Sequence, residues 1–207
     1  MHLDIAGALL KVLLLWILTA PHEFAHAWTA LRLGDDTPLK EGRVTLNPLA
    51  HVDWIGTAVL PFVMSLLGAG FLGWGRPVRT EPSKLKGGLN GLAIVSLAGP
   101  FSNVIMAGLM GGLAIFTLKS FPGFAQFMAE GVQLSLYLAL FNMLPVPPLD
   151  GSKLLLAARV PVRVYMELAR FGFMLLIVLI SSTGIGRLMS DWSYSGARAI
   201  FLMWGWR

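Results

Sequence analysis

Leu89 to Leu118 is a run of 30 residues with no charged side chain. A bilayer core about 30 Å thick needs about 20 apolar residues in a helix, so this run is long enough to cross one. Comparable stretches are Val12–Leu31, Phe124–Leu144 with Glu130 inside it, and Leu168–Gly186 with Arg170 near its start. Trp54–Leu72 is apolar too, but broken by Pro61, Gly68 and Gly70. The composition agrees: 56% of the 207 residues are hydrophobic and only 13% charged, where soluble domains run near a quarter charged. We expect an all-α polytopic membrane protein with about five hydrophobic segments. The tail Trp192–Trp206 carries Arg198 and reads as interfacial. With no repeat or composition shift, residues 1–207 read as one domain with its core in 12–152. A secretory signal peptide is the rival reading of the first segment. Asp4 in its n-region, and Leu18 three positions back from a cut after Ala20, speak against it.

The net charge of +5 could suggest nucleic acid, but the basic residues sit between the apolar stretches, where membrane proteins keep them. No nucleic-acid partner is expected, and membrane lipid is. Segments 32–53, 73–88 and 152–170 hold 11 of the 16 Lys and Arg, so the positive-inside rule makes them cytoplasmic. Both flanks of Trp54–Leu72 then share a side. The stretch is expected to re-enter, turned by Pro61 and the glycines, an ordinary crossing helix being the alternative. Short alternating pieces, Arg43–Leu46 and Arg76–Thr80, suggest small cytoplasmic strands.

Zero cysteines exclude thiolate metal sites and thiol catalysis. What remains is His22-Glu23-Phe24-Ala25-His26 inside the first apolar run. Residues four apart share a helix face, so both imidazoles can hold one metal ion with Glu23 beside it. A charged group within a span costs about 2–3 kcal/mol, so such a cluster marks function. Two His leave a tetrahedral zinc short of a third protein ligand. Candidates in apolar surroundings are His51, Asp53, Glu130, Asp150 and Glu167. Asp150 is best placed, because Pro145, Pro147 and Pro148 break the fourth helix beside it. His51 is the runner-up. Glu130 and Glu167 read as interfacial residues near helix starts.

His22-Glu23-x-x-His26 paired with Asn142-x-x-Pro145-x-Pro147-x-Leu149-Asp150-Gly151 resembles the site-2 protease family of intramembrane zinc metalloproteases. Gly34-Asp35, the stretch Asn47 to Asp53, Gly73 to Val78 and Ala98-Gly99-Pro100 resemble the same family, so the likeness spans Val12 to about Ser152. It implies that His22, His26 and Asp150 bind one zinc ion, that Glu23 is the general acid/base, and that Asn142 holds the substrate carbonyl or its oxyanion. The implied activity is endoproteolysis of transmembrane protein substrates, in the plasma membrane of a prokaryote, with the active site toward the cytoplasm. No inserted regulatory domain is evident, and the motif helix reads as the first crossing. Two other readings fit a metal-binding membrane protein: an ion transporter and a catalytically silent scaffold. Glu23 separates the first of these from a peptidase, since an ion carrier has no need of a water-activating carboxylate.

Overall fold

The computed structural model describes residues 4–67 and 73–206. Helix α1 (Ile5–Arg32) starts where the Asp4 carboxylate accepts the Gly7 N–H at 2.9 Å. It stops before Gly34, whose φ of 105° few other residues adopt. A single turn, α2 (Thr37–Lys40), follows. Six residues of π-helix, Trp54–Val59, then run into α3 (Leu60–Leu66). The remaining elements are α4 (Leu89–Thr117), α5 (Pro122–Asn142), α6 (Asp150–Ala157), α7 (Val162–Thr183) and α8 (Ile185–Met203). Four of them, α1, α4, α5 and α7, are long and apolar enough to span a membrane. At about 1.5 Å per residue they measure roughly 31–44 Å, against a hydrocarbon core of about 30 Å.

Helix α4 is the centre of the bundle, packed by α1, α5, α6 and α8. Its core joins Leu14 and Leu18 of α1 to Ala107, Met110 and Ala114 of α4, Met128 and Val132 of α5, and Ala197 of α8. Small residues set these approaches, as is usual between helices in lipid. A Cβ at Gly111 would strike Ile200, one at Gly112 the Trp204 ring, and one at Gly131 Met110. Gly108 differs: its Cβ position is open, and its carbonyl accepts the Trp204 indole N–H at 3.1 Å. The tail forms α8, which buries Met189, Ser193 and Ala197 against the bundle instead of only lying at an interface. Gly184, at φ 68°, turns the chain from α7 into α8.

The chain between Trp54 and Arg76 returns to where it began. Trp74 N–H donates to Gly56 O at 3.0 Å, the Thr57 hydroxyl to Trp74 O at 2.9 Å, and Arg76 N–H to His51 O at 2.8 Å. Trp54–Leu66 spans about 20 Å, too short to cross. Pro61 sits at the start of α3, within a run of helix that continues from Trp54 to Leu66. Gly68 and Gly70 lie outside the described residues. The small strands are absent among the described residues. Arg43–Leu46 is bent, with Thr45 N–H donating to Arg43 O at 2.9 Å. Gly73–Thr80 has no regular secondary structure and forms no ladder, and its neighbours at 51–57 are a turn running into the π-helix.

The three basic segments gather at one end of the bundle. Lys86 N–H bonds Leu33 O at 2.8 Å, and Leu156 of α6 packs on Ala30, Leu85, Leu92 and Val95. Asp35, fully buried there, accepts Thr37 N–H at 3.0 Å and Glu81 N–H at 2.7 Å. Burial works against its charge, but these bonds and Lys84 outweigh it and hold the carboxyl below its ordinary pKa.

Candidate metal centre

Helical spacing sets His22 and His26 on one face of α1, and both are buried. Met143 to Leu149 forms no regular helix because of its prolines, and α6 then opens with Asp150 in its first turn, favoured by the helix dipole. Gly151 is required here, since any Cβ would strike Met143 O. Three donor atoms meet as a result. His22 Nε2 and His26 Nε2 are 3.1 Å apart, and Asp150 Oδ2 lies 3.2 Å from the first and 3.0 Å from the second. An ion about 2.0–2.1 Å from each corner of a tetrahedron separates its donors by about 3.3 Å. The triangle has that size.

The protonation pattern points the same way. His26 Nδ1 is 2.7 Å from the Val95 carbonyl, which can only accept, so Nδ1 carries the proton. Nε2 is then the nitrogen that meets the carboxylate oxygen, as an ion pair when it carries a proton and as a metal ligand when it does not. The same Val95 bond fixes the tautomer a metal needs. Lys153 Nζ holds the other carboxylate oxygen, Oδ1, at 3.0 Å. Among the described residues, these three form the one group of His and carboxylate donors close enough to share an ion.

A cavity of about 360 Å³ opens beside the triangle. Leu15, Leu18, Phe141, Phe173 and Leu176 make its apolar walls, and Glu23, Asn103, Asn142 and Lys153 its polar points. Glu23 Oε2 accepts the Val78 N–H at 3.2 Å, so the segment Gly73–Thr80 steadies this carboxylate. Arg43 is near enough to feel Glu23. Burial and the adjacent Arg76 pull the Arg43 pKa down, against the pull of Glu23 and Glu41. Asn142, half-buried at the end of α5, donates one amide hydrogen to Leu138 O at 3.0 Å and has a second free.

The same motifs occur in known proteins. The chain is 41% identical over 168 residues to "Putative zinc metalloprotease YwhC" of Bacillus subtilis, an alignment covering 76% of this chain and 74% of the relative. The chain belongs to this family of zinc metalloproteases. A second member, "Putative zinc metalloprotease Rip2" of Mycolicibacterium smegmatis, is 31% identical over 208 residues, 93% of this chain and 74% of its own. An archaeal member, "Putative zinc metalloprotease MJ0611" of Methanocaldococcus jannaschii, is 36% identical over 105 residues, 49% of this chain and 52% of its own. No model of a protein family matches the chain, and no solved structure does.

In this metalloprotease the other ligand candidates have structural work. His51 is fully buried, with Nε2 donating to Thr45 O at 2.8 Å, and it pins the 45–51 loop away from the donor triangle. Asp53 caps the π-helix, accepting from Ile55 N–H at 3.1 Å and Gly56 N–H at 2.8 Å. Glu130 lies exposed beside Gln126, and Glu167 is exposed on α7. Three participants were not legible beforehand as parts of the centre. The Val95 carbonyl and Lys153 reach it only through tertiary packing. Gly99 is the third, since any Cβ there would collide with His26 Nε2 and His22 Cε1. The glycine in Ala98-Gly99-Pro100 was the available signal.

Proposed function

We propose that this chain is an intramembrane zinc endopeptidase of the site-2 protease type. It hydrolyses peptide bonds in or near transmembrane segments of other proteins, at one zinc ion held by His22, His26 and Asp150. The observation that carries the reading is the buried triangle of donors with 3.0–3.2 Å edges, on helices long enough to cross a bilayer. The basic residues at the same end of the bundle support a site facing the cytoplasm. Relatives in bacteria and an archaeon support a prokaryotic plasma membrane.

When bound there, zinc lowers the pKa of water to about 7 and polarises the substrate carbonyl. Glu23, held through Oε2 by Val78 N–H, accepts the proton of the attacking water and returns it to the departing amine. Asn142 offers its free amide hydrogen to the substrate carbonyl oxygen, a contact of the kind worth about 10²–10³ in rate. Lys153 keeps Asp150 charged and oriented. Phe141, Phe173 and Leu176 give the cavity an apolar wall beside these groups.

A substrate helix hides its scissile bond, so it has to unwind at the site. Gly73–Thr80 offers it a backbone edge. Trp74 spends its N–H and C=O on residues 56 and 57 and Arg76 its N–H on His51 O, which leaves the backbone groups of Gly75 between them, and Gly75 lines the cavity. An unwound segment pairs there by strand addition.

The test is Glu23→Gln in purified, zinc-loaded protein with a single-span membrane substrate. Zinc content should match wild type while cleavage falls at least about 10²-fold. Cleavage at the wild-type rate would refute the assignment.

A further inference from the structure

The polar side chains inside α4 are unequal. Ser96 donates to Ala93 O at 2.9 Å, Ser102 to Gly99 O at 2.9 Å, and Thr117 to Leu113 O at 2.7 Å, each satisfied within the helix. Asn103 is different. It is 1% exposed, its Oδ1 is buried with no hydrogen-bond partner, and it stands in the wall of the zinc-site cavity. Its backbone carbonyl is occupied by the Ser135 hydroxyl at 2.7 Å, which locks α4 against α5 and fixes where the side chain stands. A buried amide oxygen without a partner costs about 1–3 kcal/mol, and an aliphatic side chain of the same size would avoid that cost.

Position identifies the missing partner. Asn103 follows Gly99 by four residues, so it shares the face of α4 that meets His22 and His26. Since α4 runs away from the basic end, Asn103 lies about one turn, roughly 6 Å, deeper in the membrane than the donor triangle. Resting on the peptidase reading above, we propose that Asn103 binds the main chain of the unwound substrate on the membrane-interior side of the scissile bond. Unwinding frees an N–H and a C=O at a depth where water is scarce, and each then needs a partner. A carboxamide meets both needs, because it donates at one end and accepts at the other. Rotation about its broad χ2 torsion presents either end to the cavity. The contact is to backbone, so it favours an unwound segment over a helical one whatever its side chains.

The test uses Asn103→Leu, which keeps the volume and removes the polar group, with Asn103→Ala as a second variant. Two zinc-directed probes are titrated into zinc-loaded protein in detergent: acetohydroxamate, which reaches only the metal, and a tripeptidyl hydroxamate, which also lies along the cavity. Zinc content and the thermal midpoint are measured on the same samples. Asn103→Leu should leave zinc content and acetohydroxamate affinity unchanged, weaken the tripeptidyl probe about tenfold, and raise the thermal midpoint of the unliganded protein. Equal loss for both probes, no loss for either, or loss of zinc or of thermal stability in Asn103→Leu would overturn the proposal. If wild type bound neither hydroxamate, the zinc peptidase reading would itself fail, and this inference with it.

Discussion

His26 Nε2 lies 3.0 Å from Asp150 Oδ2 across 124 positions of sequence, and because Nδ1 faces the Val95 carbonyl it is Nε2 that meets the carboxylate. This predicts a zinc-dependent stability difference for Asp150→Asn. Without metal, an Asn amide keeps a hydrogen bond to His26 Nε2, so the thermal midpoints of chelator-treated variant and wild type should differ by at most a few degrees. With excess zinc the wild type should gain and the variant should not, because a metal that binds only the folded protein stabilises it. Thermal unfolding in both conditions checks the difference, and equal gains on adding zinc would contradict it.

Glycine at position 99 is required by the two imidazoles packed against it, not by the helix. Gly99→Ala places a methyl against both imidazoles, and zinc affinity should fall about 10–100-fold, the range for disturbed supports of metal ligands. Gly108→Ala, where the Cβ position is open, should keep zinc and gain up to about 1 kcal/mol of stability from helix propensity. Zinc titration with a competing chelator separates the two.

Lys153 holds the carboxylate oxygen of Asp150 that faces away from the donor triangle. Lys153→Met preserves the stem and deletes the charge, so Asp150 loses its orientation. Zinc affinity is expected to drop about 10-fold or more. Lys153→Arg should recover part of it, and competition against a zinc indicator reads both.

Asp35 gives a pH signature away from the membrane spans. Its folded pKa is depressed below 3.8, so its contribution is complete above about pH 4 and disappears as pH falls through the folded value. Asp35→Asn strands one of the two N–H donors, from Thr37 and Glu81, at a cost of about 1–3 kcal/mol near neutral pH. Unfolding midpoints of the two proteins should converge below pH 4, and a gap independent of pH would contradict the account.

The sequence made α1 and its His pair readable because both depend on spacing within one helix. It pointed to Asp150 because three prolines beside a carboxylate have few structural uses. The return of the 54–76 chain was legible from charge placement alone. The strands were not: alternation at Arg43–Leu46 and Arg76–Thr80 described residues, while a ladder needs a partner, and the turn and π-helix at 51–57 supply only single bonds. Val95 and Lys153 were hidden for a related reason. A backbone carbonyl 69 positions from His26 has no sequence signature, and a lysine three residues after Asp150 looks like any basic residue at a membrane edge.

Zinc K-edge X-ray absorption on the purified protein, beside metal analysis of Asp150→Ala, tests the centre most directly. The account predicts one zinc per chain in wild type, with two imidazole nitrogens and one carboxylate oxygen at about 2.0–2.2 Å, and loss of most of the metal in the variant. Zinc retained in full by Asp150→Ala, or a wild-type spectrum without two imidazoles, would contradict it.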